Sequence, residues 1–154
     1  IGSEISLESM GKELQISKNT VDRYLDLLSK VFILHRLNGF SGNLDNEITK
    51  KSKWYFMDNG IRNAIISNFN PPELRNDMGE LFENFFINER MKYQSYNRLI
   101  VSNYFWRHKN KQEIDWIEET EKGLSAFETK WNPNKKVSAP RLWQRTYKGS
   151  DRKS

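Results

Sequence analysis

Two short amphipathic segments separated by three residues place the strongest constraint on the fold of this 154-residue chain. Residues 6–14 and residues 18–30 each carry apolar side chains at helical spacing. Ser17 directly precedes the second segment, and serine is a preferred residue at helix N-termini. Helices joined by so short a connection pack against each other, so the sequence predicts a helix-turn-helix.

The second predicted helix has one apolar stripe. Val21, Tyr24, Leu25 and Leu28 fall at positions i, i+3, i+4 and i+7, which places them on one side of the helix.

Two β-rich runs follow the predicted helices. Residues 31–37 and residues 53–57 both favour strands, and the polar residues 41–53 predict a loop between them. A two-stranded wing directly after a helix-turn-helix is typical of a winged helix. We therefore assign residues 1–70 to a winged-helix-like domain, which includes a short predicted helix at residues 61–67.

A second unit is predicted after a linker. Two adjacent prolines mark residues 71–76 as the linker, and residues 77–154 form the second domain. Asp77 is expected to cap a long helix, with Glu80 in capping-box position. The apolar face of that helix is expected to comprise Met78, Leu81, Phe82, Phe85 and Phe86. Strands are predicted at residues 98–107, 113–119 and 124–131, and a last helix at residues 139–147.

The last two predicted strands bring charged residues together. If residues 120–123 form the hairpin loop, Asp115 faces Glu128 across the strand pair. Because side chains alternate along a strand, Lys130 shares that face, whereas Trp131 points to the opposite face and packs under the last helix. Opposed carboxylates repel each other unless a cation or a proton lies between them, and carboxylate oxygens suit Mg²⁺ or Mn²⁺.

Glu83 is the third candidate carboxylate. It lies at the border of the apolar face of its helix, where it can reach the sheet edge, whereas Glu80 points away. The spacing therefore predicts a divalent-metal site at Glu83, Asp115 and Glu128. The alternative is a set of ordinary charged residues on a solvated sheet face.

Positive charge is concentrated at the end of the chain. The net charge is +5, and the last 25 residues carry +7 while residues 1–129 carry −2. This distribution predicts a phosphate-binding patch near the C-terminus, the alternative being a solubilising tail. Further basic residues lie on the second helix and in the wing. The predicted nucleic-acid contacts are Lys18, Arg23, Lys50, Lys51, Lys53, Lys135 and Lys136.

The composition excludes several classes of protein. The chain has no cysteine, so disulfides and thiolate sites are excluded, and a reducing cytoplasmic location is expected. No run of about 20 apolar residues is present, so we expect no membrane span. The first residues lack the pattern of a signal peptide, and the chain begins as if cut from a longer one.

Several stretches together resemble a known family. The order of a helix Glu, a strand Asp and a strand Glu-x-Lys resembles nucleases of the PD-(D/E)xK type. More closely, most of the chain, from about residue 5 to residue 131, resembles the C-terminal region, called DUF4143, of prokaryotic AAA-type ATPases. The stretches are Ser17-Lys18-Asn19-Thr20-Val21, Tyr24-Leu25, Val31-Phe32-Ile33-Leu34, Tyr55-Phe56-Met57-Asp58-Asn59-Gly60-Ile61-Arg62-Asn63-Ala64, Gly79-Glu80-Leu81-Phe82-Glu83-Asn84-Phe85, Glu113-Ile114-Asp115-Trp116 and Phe127-Glu128-Thr129-Lys130-Trp131.

The resemblance implies an α+β chain, with a winged helix-turn-helix followed by a restriction-endonuclease-like αβββα core. That core should close with a further strand, but no strand is obvious after the last helix, so the core is expected to be truncated. The resemblance also implies that the chain is the C-terminal part of a cytoplasmic ATPase, with an N-terminal P-loop domain as its partner. No Gly-x-x-x-x-Gly-Lys-Ser/Thr motif occurs, so we expect no ATP binding here.

Two functions follow from these expectations. In the first, Asp115, Glu128 and the Thr129 carbonyl hold Mg²⁺ with help from Glu83, and Lys130 assists cleavage of a DNA phosphodiester. In the second, the chain is a non-catalytic module that binds DNA or docks on the ATPase domain. The predicted recognition helix has mixed charge, because Asp22 and Asp26 offset its basic residues, and this fits docking as well as DNA binding.

Overall fold

The structure, a computed structural model, describes residues 2, 4–40, 52–132, 134, 138 and 140–147, and the backbone of residues 151–152. These residues form a mixed α+β fold. The strands are β1 (Glu4–Ile5), β2 (Leu34–Gly39), β3 (Ser52–Phe56), β4 (Ser102–Arg107), β5 (Glu113–Thr120), β6 (Gly123–Phe127) and β7 (Asp151–Arg152). The α-helices are α1 (Leu7–Leu14), α2 (Lys18–Lys30), α3 (Asn59–Ile65), α4 (Met78–Tyr96) and α5 (Arg141–Thr146), and a 3₁₀ turn spans Pro72–Leu74.

All the strands belong to one open sheet with the order β1-β3-β2-β4-β5-β6-β7. β2 and β4 are parallel neighbours, as are β6 and β7, and the other pairs are antiparallel. The β2–β4 pair therefore joins the strands of the predicted winged-helix-like domain to those of the second domain. The division of the chain at residues 71–76 stays a prediction.

The two predicted helices and the three-residue turn between them are confirmed. Ser6 and Ser17 cap α1 and α2, and each hydroxyl accepts a hydrogen bond from a backbone N–H three residues later. Gly11 lets the turn fold back closely, because a Cβ at this position would lie 2.8 Å from the Ile16 carbonyl oxygen. The wing loop predicted for residues 41–53 lies almost wholly outside the described residues.

Only half of the predicted apolar stripe of α2 is buried. Val21 and Leu25 pack into a core cluster with Leu34 and Trp54. Tyr24, in contrast, is exposed. Leu28 is also exposed, so only two of the four residues of the stripe face the core. The sheet therefore covers only part of the apolar side of α2.

Each of the first four helices is followed within two residues by a residue in the left-handed conformation. These residues, all other than glycine, are Gln15, Phe32, Ser67 and Arg98. At the end of α2, the Ile33 N–H donates to the Leu28 carbonyl and the Phe32 N–H donates to the Ser29 carbonyl. This is the Schellman arrangement, in which glycine is the usual residue. Because the chain turns here, β2 begins at Leu34, later than predicted.

Asp77 lies at the start of α4 but does not form the predicted capping box. Its side chain makes no hydrogen bond to the helix N-terminus. The carboxylate instead accepts hydrogen bonds from the guanidinium groups of Arg75 and Arg62. Arg75 also donates to Asn63 and to the Asn68 carbonyl. The segment before α4 is therefore tied to α3 by ion pairs and hydrogen bonds.

The buried face of α4 differs from the predicted one. It comprises Leu81, Asn84, Ile87, Asn88 and Gln94, so three amide side chains lie in the interior. Phe85 was predicted to belong to the core but is about half exposed. Leu81 is buried as predicted and Phe86 packs against the core, but the buried face also includes amides that find hydrogen-bonding partners in the sheet.

The C-terminal strands follow the predicted register but not all of the predicted bounds. Ile117 pairs with Ala126 and Glu119 with Leu124, as predicted. Thr120 also pairs with Gly123, so the hairpin loop has two residues rather than four. β7 lies beside β6, so a short closing strand is present although the sequence did not reveal it. No described helix combines the length and apolar character needed to cross a membrane.

Candidate functional site

Two asparagines of α4 fix the helix against the end of β3 and so position the candidate site. The Asn84 side chain accepts a hydrogen bond from the Phe56 N–H and donates one to the Phe56 carbonyl, both at 2.9 Å. Asn88 donates to the same carbonyl at 2.8 Å. Glu83, next to Asn84, is thereby held over the face of β3 that carries Lys53 and Tyr55.

Lys53 occupies the centre of the site. Its side chain is only 4% exposed, and its Nζ lies 3.5 Å from Glu83 Oε1 and 4.0 Å from Asp115 Oδ1. The ammonium also lies 5.5 Å from the centre of the Phe105 ring. A buried cation thus stands between the two carboxylates that the sequence analysis assigned to a metal ion.

Both carboxylates have further hydrogen-bonding partners. The Tyr55 hydroxyl donates to Glu83 Oε1 at 2.7 Å. Asp115 Oδ2 accepts from the backbone N–H and the hydroxyl of Thr129 at 2.8 and 3.0 Å. Burial raises the pKa of Glu83 above its usual value, and the negative charge of Asp115 adds to this effect while Lys53 opposes it. Burial likewise raises the pKa of Tyr55, and the Glu83 charge adds to it, so the phenol stays protonated.

An open cleft of about 400 Å³ adjoins this cluster. Its lining is rich in carboxylates and includes Lys130 and one aromatic ring. The lining residues are Gly79, Glu80, Glu83, Glu113, Asp115, Thr129, Lys130, Trp131 and Asn132. Trp131 was predicted to lie on the opposite face under the last helix, but its half-exposed ring lies on the cleft side, 5.7 Å from the Phe82 ring.

Glu128 takes a different position from the predicted one. The strand pair ends at Trp116 and Phe127, one step before Asp115 and Glu128 would pair. The Glu128 carboxylate instead contacts Lys130 Nζ at 2.8 Å, and it is not among the residues that line the cleft. Burial lowers the pKa of Lys130, but the ion pair with Glu128 outweighs this effect and leaves it raised. The cleft thus collects Glu83, Asp115 and Lys130, while Glu128 neutralises Lys130.

The residues of the site do not fit the predicted magnesium ion. Among the residues that the structure describes, no three His, Cys, Asp or Glu side chains are grouped so that they could hold a metal. Glu83 and Asp115 meet at Lys53 rather than around a space shared with Glu128, and Glu128 pairs with Lys130 instead. The sequence offered one signal that Lys53 belongs to the site. Lys53 and Tyr55 are two residues apart in a predicted strand, so their side chains lie on the same face.

The predicted nucleic-acid contacts fall into three groups. Lys18 and Arg23 are exposed on α2, and Lys18 pairs with Glu8 at 3.0 Å. Lys53 is buried among carboxylates, so its assignment as a nucleic-acid contact was wrong. The others, Lys50, Lys51, Lys135 and Lys136, lie outside the described residues.

A second candidate site is an exposed apolar surface on α2, which shares Tyr24 and Leu28 with the predicted apolar stripe. The α2 apolar face, as we call it, comprises Tyr24, Leu27, Leu28, Val31 and Phe32, all exposed. Phe32, at the end of this face, is 74% exposed. The first four residues recur at i, i+3, i+4 and i+7, which is the signal that could have revealed a second apolar stripe.

Comparison with known proteins divides the chain into two parts. Residues 1–72 match the family model of DUF8612, a domain of unknown function. The resemblance to DUF4143 holds for residues 78–153 and not for the earlier part of the chain. The search of curated proteins and the search of solved structures each found no match. The chain thus joins a segment that matches DUF8612 to one that matches DUF4143, itself a domain of unknown function.

Proposed function

We propose that this chain is a non-catalytic docking module of an AAA-type ATPase, and that its α2 apolar face binds the ATPase domain. The ATPase context comes from the resemblance described above. The observation that carries the proposal is the exposure of five large apolar side chains along one side of a helix-turn-helix. Contiguous apolar surface of this kind marks protein–protein contact more often than nucleic-acid contact.

The charges on α2 support a protein partner over DNA. Two of its lysines already have carboxylate partners, Lys18 with Glu8 and Lys30 with Asp26 at 2.7 Å. DNA affinity depends on basic side chains that neutralise phosphates, and ion pairs within the protein reduce that capacity.

The backbone of Phe32 also supports docking. Its φ of 59° is in the left-handed region, which costs a bulky residue roughly 1–2 kcal/mol relative to an ordinary conformation. The three other described helix ends of this kind carry polar residues. The backbone of Phe32 is strained and its ring is exposed, so the residue does not stabilise the isolated chain. We therefore expect its ring to make stabilising contacts in a complex.

The test is calorimetric titration of this chain with the P-loop ATPase domain encoded by the same gene. Leu27→Glu and Phe32→Glu are each expected to weaken binding at least tenfold, because each places a charge in the apolar contact. Ile100→Glu is the matched control, since Ile100 is 93% exposed, lies after α4 and is expected to leave affinity unchanged. A gene without such a domain, or binding insensitive to both α2 variants, would refute the proposal.

A metal-dependent nuclease is the second candidate. The cleft and the order of the elements favour it, whereas the contacts of Lys53 with Glu83 and Asp115 count against the metal that it would need. Glu83, Asp115 and Lys130 border one open space, and the order α4-β4-β5-β6-α5-β7 agrees with an αβββαβ core. Plasmid cleavage in Mg²⁺ by wild type and by Asp115→Ala separates the two functions. The docking proposal expects no cleavage by either protein, whereas cleavage that is lost in Asp115→Ala would establish the nuclease.

A further inference from the structure

We propose that the Lys53 ammonium is the resident cation of the Glu83–Asp115 pair and that it excludes divalent metal ions from this site. The side chains of Glu83 and Asp115 are only 17% and 7% exposed. Two carboxylates so deeply placed repel each other and lose hydration, so the folded state needs a positive charge near both. Lys53 supplies that charge from within the chain. This inference does not depend on the docking proposal.

The backbone holds Lys53 in this position. Lys53 pairs with Leu37 of β2 on one side and with Glu4 of β1 on the other. An ammonium on an interior strand cannot leave the carboxylates unless the sheet opens or the side chain moves through packed neighbours. The ring of Phe105, which is fully buried, lies against the same ammonium.

One oxygen of each carboxylate already accepts hydrogen bonds from within the protein. Mg²⁺ requires about six oxygen ligands in near-octahedral geometry. Glu83 Oε1 is engaged by Tyr55 and Lys53, and Asp115 Oδ2 by Thr129. Gly2 closes a further side, because a Cβ at this residue would lie 2.8 Å from Glu83 Oε1.

The charges indicate what should happen when Lys53 is removed. Glu83, Asp115 and Lys53 together carry a net charge of −1 when ionised. Methionine has about the same length as lysine but lacks the ammonium group. Lys53→Met therefore leaves two negative charges without their cation, and a divalent ion becomes the natural counter-ion. Removal of one partner from a buried ion pair is strongly destabilising, and the variant should therefore depend on metal for its stability.

The experiment measures Tm and calorimetric binding with Mn²⁺ or with EDTA. Wild type is expected to show the same Tm in both and no binding heat at millimolar Mn²⁺. Lys53→Met is expected to have a lower Tm in EDTA, or to be unfolded there, and to gain several degrees with Mn²⁺. Addition of Asp115→Asn to Lys53→Met should abolish that gain. Lys92→Met is the control, because Lys92 forms an exposed pair with Glu89 and should give no response to Mn²⁺.

Two results would overturn the inference. Mn²⁺ binding by wild type that is lost in Asp115→Asn would show that Lys53 does not exclude the metal. A Lys53→Met variant that responds equally to Mn²⁺ and EDTA, whether folded or unfolded in both, would show that no divalent ion can replace the ammonium.

Discussion

The Tyr55 hydroxyl donates a 2.7 Å hydrogen bond to Glu83 Oε1, which links the centre of β3 to α4 in the interior of the protein. Tyr55 is fully buried, and the bond supplies one of the few polar partners of the Glu83 carboxylate. Because Lys53 contacts the same oxygen, the tyrosine also helps to fix the acceptor on which the ammonium rests.

Tyr55→Phe should destabilise the protein by about 1–2 kcal/mol, because it removes a hydrogen bond to a buried carboxylate and keeps the ring. Urea unfolding followed by far-UV circular dichroism measures the change in the free energy of unfolding. Tyr96→Phe is the control, since Tyr96 is exposed at the end of α4 and should have no effect. Equal unfolding midpoints for both variants would show that the bond contributes nothing.

Asn84→Ala should destabilise the protein by about 2–3 kcal/mol. The substitution removes the amide that bonds both the N–H and the carbonyl of Phe56, in a place that water does not reach. Asn97→Ala is a matched control, because Asn97 is exposed and donates only to the Tyr93 carbonyl. If the two substitutions cost the same, the attachment of α4 to β3 must depend on other contacts.

Phe32→Gly should stabilise the chain by about 1 kcal/mol, because glycine adopts the left-handed conformation without the steric cost. The same substitution should weaken binding to the ATPase domain, since it removes a ring of the α2 apolar face. Gln15→Gly, at the equivalent position of α1, should give a similar gain in stability and leave binding unchanged. Thermal unfolding and calorimetric titration measure the two effects separately. A loss of stability in Phe32→Gly would mean that the ring packs usefully in the isolated chain.

Asp77→Asn should reduce the loss of stability in acid. Hydrogen bonds from Arg75 and then from Arg62 hold the pKa of Asp77 well below its usual value of 3.8. A depressed folded-state pKa gives stability that is present above the unfolded pKa and is lost as pH falls towards the folded pKa. Unfolding measured between pH 7 and pH 2 should therefore show a steeper decline below about pH 4 in wild type than in the variant. Asp26→Asn, in an exposed pair with Lys30, should leave the wild-type slope unchanged.

Short-range features of the fold could be read from the sequence. The two serine caps and the three-residue turn predicted α1 and α2 within a residue, because capping and helical periodicity are local properties. The β5–β6 register was also predicted, since a tight hairpin fixes which residues pair. The placement of Asp115 beside the segment that carries Lys130 follows from that register.

Contacts between distant segments could not be predicted in the same way. From the sequence, Asn84 resembles a surface residue until its partner, Phe56 of β3, is known. The predicted buried face of α4 therefore left out Asn84 and included the exposed Phe85. Burial of an amide is favourable only when another segment supplies its hydrogen bonds. Tyr24 and Leu28 belong to the predicted apolar stripe of α2 but are exposed, because the sheet covers only part of that helix.

By itself, the sequence determined the helix-turn-helix, the C-terminal hairpin and the residue types at the candidate site. Only the tertiary structure decided which charges meet there. Lys53, Glu83 and Asp115 lie far apart in the chain, and their meeting depends on how α4 and β5 are placed relative to β3. The same residue types could surround a metal ion or neutralise one another. The position of one buried ammonium, 3.5 Å from Glu83 and 4.0 Å from Asp115, is the observation on which we base the second outcome.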